Sequence, residues 1–322
     1  MSLRLLAVHA HPDDESSKGA GTYAYYLERG YEVMVVTCTG GEQGEILNQQ
    51  VAADPAAQRD IGGYRRGEMA LAQQLIGFQH RWLGYPDSGL PPEGTPVDPL
   101  SFAGLPTGPQ VAALLRIVRD FKPHVLVTYN ENGGYPHPDH IRCHEISYRA
   151  WELAGDPNAY PETGAPWKIS KLYYDEIFNP ARVAALSDWV QQYEPESAHA
   201  AYLAQMHERM ADRPNHATTR INVAKHLEIR DAALRAHASQ VEPEHQFFFL
   251  PNHIVRAAWP TEDFRLAASR VPTTTPETDL FAGITAQQIA AAATPAAAAP
   301  PAAAAVAAET AVAAPGAAPA QT

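Results

Sequence analysis

Two short segments carry the residues best able to do chemistry, His11-Pro12-Asp13-Asp14-Glu15 and His137-Pro138-Asp139-His140. Each sets imidazoles and carboxylates within a few positions of a proline. Nitrogen and oxygen donors of this kind suit a borderline cation such as Zn²⁺. Three protein donors plus a water make a catalytic rather than a structural centre. Water on such an ion titrates near neutrality, and a neighbouring carboxylate can take its proton. One such segment alone reads better as a turn in which Asp caps a helix. Two of them favour a shared site, provided the fold brings them together.

The elements around them predict that it does. Leu5–Ala10 is a short apolar run read as a buried strand, followed by a helix over Gly19–Glu28 with Gly30 at its end. Glu32–Thr39 is a second, β-branched strand, a helix through Arg59–Ile76 leads to a third strand at Gln79–Leu83, and Gln110–Phe121 is amphipathic. His124–Tyr129 is the fourth strand, and a helix opens near His137–His140 and runs to Ala154. Strand and helix in alternation predict a Rossmann-like, mostly parallel α/β sheet flanked by helices. In the order 3-2-1-4-5, strands one and four are neighbours at the switch point, and both histidine loops leave their carboxyl ends into one crevice. The second half predicts a smaller α+β, substrate-side portion. Strands fall at Ile169–Tyr174 and Thr218–Val223, a helix at His226–Gln240, and a mixed helical insertion at Pro180–Pro214.

Composition narrows the function classes. The 322 residues carry 24 Lys+Arg against 36 Asp+Glu, a net charge of −12, so the basic footprint of a nucleic-acid or anionic-membrane binder is missing. No Pro-free run of about 18 apolar residues is present to span a bilayer. The N-terminus does not read as a signal peptide, so a soluble cytoplasmic protein is expected. Two cysteines, Cys38 and Cys143, are too few for a disulfide framework. A dinucleotide site is excluded, because the first strand-to-helix turn is acidic where a glycine-rich turn would cradle pyrophosphate. From Ala290 onward the chain is nearly all Ala, Pro, Thr and Val, so residues 284–322 are expected to be a disordered tail beyond a folded unit of residues 1–283.

Together with Thr37-Cys38-Thr39-Gly40-Gly41-Glu42 and the pair Arg65 and Glu68, the two loops resemble the PIG-L/LmbE family of zinc-dependent N-deacetylases and amidases. Within it, the likeness is to the branch that hydrolyses mycothiol S-conjugates. Ser16-Ser17-Lys18-Gly19, Asn132–His144 and Ala236-His237-Ala238-Ser239-Gln240 carry that likeness, with a departure at Asn130, where the branch commonly has Asp. The resemblance implies Zn²⁺, with Fe²⁺ as the alternative, bound by His11, Asp14 and His140. It implies Asp13 as general base, His137 as a second acid or base oriented by Asp139, and Tyr135 as a donor to the oxyanion.

The implied substrate is a small-molecule thiol conjugate of an amino sugar, a glucosaminyl-inositol in amide linkage to an S-alkylated N-acetylcysteine. Hydrolysis would release the sugar amine and a mercapturic acid. Lys18, Glu42, Glu45, Arg65 and Asp87 are the candidate substrate contacts, each with a plain surface-charge reading beside it. The nearest alternative is an N-deacetylase of N-acetylglucosaminyl-inositol, which shares the metal chemistry and differs in the acyl pocket. A non-catalytic sugar-binding module is the alternative from another class, against which Asp13 and His137 argue. The sequence leaves the oligomeric state open.

Overall fold

The computed structural model describes residues 2–92 and 94–287, and the Ala/Pro-rich segment from Ala290 lies outside the described residues. The chain enters through β1 (Arg4–His9), α1 (Asp14–Lys18) and α2 (Ala20–Glu28). β2 (Glu32–Thr39) is followed by the short α3 (Gln49–Ala52) and α4 (Pro55–Arg59), then α5 (Ile61–Ile76) and β3 (Gln79–Tyr85). Next come α6 (Thr107–Phe121), β4 (Val125–Thr128), α7 (Pro138–Leu153) and β5 (Lys171–Asp175). The last third holds α8 (Pro180–Tyr193), α9 (Ala200–Met210), β6 (Thr219–Asn222), α10 (Leu227–Ala236), α11 (Asn252–Ala258) and β7 (Thr261–Ser269).

The seven strands form one sheet in the order β3-β2-β1-β4-β5-β7-β6, so the expected 3-2-1-4-5 arrangement is present. Strands β1 to β5 pair in parallel, with Leu5 opposite both Val33 and Val125. The apolar runs of β1, β2 and β4 follow from burial on both faces, whereas β3 at the sheet edge is half-exposed. Leu5, Ala7, Val33, Val35, Val125 and Val127 pack under α2, α5 and α10, whereas Leu6, Val8, Met34, Val36 and Leu126 pack under α6 and α7.

The short α3 and α4 went unanticipated, as did β7 and α11. β7 inserts antiparallel between β5 and β6, and α11 precedes it. The expected mixed insertion is the helical pair α8 and α9. The helix expected from Gly19 begins earlier, and its first turn is the separate α1, broken from α2 at Gly19.

Arg119, near the C-terminus of α6, fixes the far end of α7. Its guanidinium is buried and donates to the carbonyls of Leu153, Ala154, Asp156, Ala159, Tyr160 and Gly164 and to Thr163 Oγ1. These acceptors lie at or just beyond the end of α7, where carbonyls have no intrahelical partner. Arg119→Met should therefore destabilise the fold by about 3 kcal/mol, because several acceptors are left unsatisfied. A lowered urea midpoint with unchanged slope would register this, and an unchanged midpoint would refute it.

Candidate metal centre and active site

β1 and β4 are hydrogen-bonded neighbours, and their carboxyl-end loops deliver the two histidine segments to one crevice. From the second loop, Pro138 opens α7 at N1, and His137 caps it by accepting the N–H of Asp139 on Nδ1 at 3.1 Å. His140 then points inward one turn later, fully buried, and donates from Nδ1 to the carbonyl of Gly133 at 2.9 Å. Gly133 has φ +70°, and a β-carbon there would lie 2.6 Å from Cβ of His140, so this close approach requires glycine.

His11 Nε2 faces Asp139 Oδ2 at 3.3 Å and Asp87 Oδ1 at 3.5 Å. With these partners the protons of the two rings lie on Nε2 of His11 and Nδ1 of His140. Their other nitrogens, His11 Nδ1 and His140 Nε2, turn toward each other at 3.3 Å. Asp14 Oδ2 completes the triangle, 3.6 Å from His11 Nδ1 and 3.5 Å from His140 Nε2.

Three lone pairs therefore converge in a buried space. A tetrahedral ion with bonds of about 2.0–2.1 Å needs donor separations of about 3.4 Å, which these edges match. The donor set suits Zn²⁺ or Fe²⁺. The nitrogens of His11, His137 and His140 also lie within 4.8 Å of one another, but Asp14, at 3.6 and 3.5 Å from the two inner nitrogens, brings a negative charge to the set.

The surroundings make the centre attractive to positive charge. Burial opposes a charge on His11, yet Asp139, Asp14 and Asp87 outweigh it and raise its pKa. Asp14 is held ionised against its own burial by Lys18 and the histidines. The Lys18 ammonium pairs with Asp14 Oδ1, while Tyr129 O–H donates to Asp14 Oδ2 at 2.6 Å. Tyr129 also stacks on His140 with ring centroids 4.3 Å apart.

Asp13 adjoins this triad in a left-handed backbone state, φ +104° and ψ −28°. Arg65 donates to its Oδ2 at 3.1 Å, to the carbonyl of Pro12 at 2.7 Å and to that of Gly41 at 2.6 Å. Burial raises the pKa of Asp13 to about 6, against the lowering effect of Arg65. Burial and the neighbouring His11 lower His137 to about 4, so it is neutral at pH 7. Because its Nδ1 accepts the helix-capping N–H, its proton is on Nε2.

The triad lies between two cavities that share Asp13, Asp14, Tyr135 and Gln240. One, of about 420 Å³, is polar and includes Gln43, Glu45, Arg65, Asp87 and His137. The other, of about 400 Å³, is largely apolar and includes Phe178, Tyr202, Met206, Leu234, Phe247 and Phe248.

Several expected roles change. Asp139 orients His11 rather than His137, since its carboxylate is on the His11 ring and only its backbone reaches His137. Asp87 likewise serves His11, and its oxygens also accept the N–H groups of Gln43 and Gly89. Glu42 turns away from the polar cavity and accepts the N–H of Asp87 at 2.9 Å, leaving Gln43 to line that cavity. The Arg65 guanidinium is committed to Asp13 and to the carbonyls of Pro12 and Gly41. Lys18 borders the apolar cavity, and Glu45 the polar one. His144 ties α7 to the carbonyl of Tyr129, and His9 is a buried partner of Tyr23. Sequence reasoning missed Tyr129, for which its place at the carboxyl end of the fourth strand was the available signal.

Residues 6–151 match the PIG-L family model, described as GlcNAc-PI de-N-acetylase. A mycothiol S-conjugate amidase of Streptomyces coelicolor is 46% identical over 287 residues, covering 88% of this chain and 97% of the relative. A 1D-myo-inositol 2-acetamido-2-deoxy-alpha-D-glucopyranoside deacetylase of Thermobispora bispora is 39% identical over 303 residues, covering 87% and 98%. Among solved structures, an N,N'-diacetylchitobiose deacetylase from Pyrococcus horikoshii aligns with TM-score 0.55 at 17% identity, over 82% of this chain and 83% of that one. A conserved protein from Thermus thermophilus aligns with TM-score 0.55 at 20% identity, over 84% and 97%. The structural likeness is one of fold. The family model spans both histidine loops, and the 46% identity extends over 88% of the chain; on that ground the chain belongs to the PIG-L family of amide-bond hydrolases.

Proposed function

We propose that the protein is a Zn²⁺-dependent amidase that hydrolyses mycothiol S-conjugates to a mercapturic acid and glucosaminyl-inositol. The observation that carries this reading is the pair of cavities flanking the triad. An amide centred between them places a sugar and its hydroxyls among Gln43, Glu45 and Asp87. Its acyl side, with the substituent on sulfur, enters the apolar cavity. An acetyl group would leave most of that 400 Å³ unfilled. The 46% identical amidase supports the same substrate class.

A cation held by His11, Asp14 and His140 would supply the charge that acidifies a water and polarises the amide carbonyl. Asp13 takes the proton of the attacking water, whose oxygen adds to the carbonyl carbon. Tyr135 O–H and the Nε2–H of His137 donate to the oxygen that gains charge. The carbon–nitrogen bond then breaks, and the proton held by Asp13 passes to the leaving amine. Lys18 keeps Asp14 ionised throughout. The buried free thiols Cys38 and Cys143 suit a reducing compartment, and we place the reaction in the cytoplasm.

The second reading, N-deacetylation of the acetylated glucosaminyl-inositol, is favoured by the relatives at 36–39% identity that carry that name. Zinc-loaded protein offered a bimane S-conjugate and the acetylated sugar separates the two. The conjugate should be cleaved at the higher kcat/KM, with the mercapturic acid identified by mass. Faster release of acetate would overturn the choice.

A further inference from the structure

A buried chain of hydrogen bonds links the metal loop to the last third of the sequence, and the mechanism above leaves it unused. Glu15 Oε2 accepts the backbone N–H of Asp13 at 3.0 Å, at the residue with the positive φ. Glu15 is fully buried, and its other oxygen is held by Ser16 Oγ at 2.5 Å and by His237 Nε2 at 2.7 Å. His237 is fully buried at the C-cap of α10. Two residues on, the N–H and hydroxyl of Ser239 each donate to Glu68 of α5 at 2.7 Å. The loop that presents His237 is thus pinned independently of Glu15.

We infer that His237 is a positioning residue for hydrolysis. Through Glu15 it fixes the backbone of Asp13 and so aims the carboxylate of Asp13 at the attacking water. This deepens the reading of Asp13 as general base and rests on it. A carboxylate turns about its last bond unless both oxygens are held. With His237 and Ser16 both donating to Oε1, Oε2 stays on the Asp13 N–H, and the left-handed turn keeps a charge-assisted bond. No hydrogen bond or ion pair joins His237 to the triad, and it is not among the residues lining either cavity. Its removal should therefore misaim the base while sparing metal and substrate binding.

The test compares wild type with His237→Met, which fills the space without a donor, and His237→Gln, whose side-chain amide can donate from near the position of Nε2. Each is purified zinc-loaded and assayed for kcat, KM, zinc per chain and urea midpoint. His237→Met should lose about 10–100-fold in kcat with KM and zinc content unchanged, and His237→Gln should recover most of it. Wild-type kcat in His237→Met overturns the inference, as does a folded, zinc-loaded His237→Gln that stays as slow as His237→Met. Should His237→Met fail to fold, Glu15→Gln carries the test. It keeps the shape but weakens the acceptor of the Asp13 N–H, so reduced kcat at constant KM and zinc supports the inference and wild-type kcat refutes it. Ratios are taken on whichever amide the wild type cleaves faster. The choice of substrate is then judged by the wild-type rates alone, and the base assignment by an Asp13→Asn control.

Discussion

Asp13→Asn should lower kcat by about 10³-fold while leaving one zinc per chain and an unchanged fold. The substitution keeps the shape of the side chain and removes its capacity to accept a proton, together with the charge that faces Arg65. Asp13 is not one of the three converging donors, so the triad of His11, Asp14 and His140 should hold its ion. The pH profile gives a second readout. Burial raises the pKa of Asp13 to about 6 in the protein alone, and a nearby cation moves it downward by favouring the ionised form. A base acts only when ionised, so activity should fall as pH drops through a limb at or below pH 6. Asp13→Asn should lack that limb in its residual rate. A variant that retained wild-type kcat would remove Asp13 from the reaction.

The same position makes a thermodynamic claim that is independent of catalysis. At φ +104°, a residue with a β-carbon is strained, and glycine is not. Asp13→Gly and Asp13→Ala both lose the contact with Arg65, so the difference between them isolates the backbone. Part of glycine's advantage is offset by its greater freedom when unfolded. The glycine variant should be the more stable by about 1 kcal/mol, and equal stabilities would show that the turn is unstrained.

How far the sequence reveals the site depends on what each inference needs. β1, β2 and β4 were readable because a parallel strand covered on both faces is a continuous apolar run, as at Leu5–Ala10 and Val33–Val36. Their order then placed His11 and His140 together without any contact being known. β7 was not readable, because Glu262, Arg265 and Ala267 leave it half-exposed and matching neither period. The partner of Asp139 was not readable either. Sequence proximity suggests His137, but helix capping directs the Asp139 backbone to His137 and its carboxylate to His11. Glu42 and Gln43 follow a glycine pair in a loop, where no periodicity says which side chain faces inward. Strand ends and loop membership were legible, whereas the direction of a side chain within a loop was not.

Removal of the metal, or of one donor, should produce the other large effect. A chelator should abolish turnover, and His140→Ala should leave kcat at least about 10³-fold down with less than one zinc bound. The physical reason lies in the two imidazoles. Gly133 and Asp139 fix their protons on the outer nitrogens, so the inner nitrogens face each other and a carboxylate oxygen. Such a set is repulsive until positive charge enters it, and Asp139, Asp14 and Asp87 favour positive charge at His11, raising its pKa against burial. An ion that supplies that charge binds only the folded chain. At a free concentration 1,000 times its Kd it should add about 4 kcal/mol of stability, seen as a metal-dependent rise in Tm. In His140→Ala the triangle loses a corner, and that rise should all but disappear even though the apo variant still folds. A wild-type protein whose Tm ignores zinc would leave the converging donors without an ion to serve.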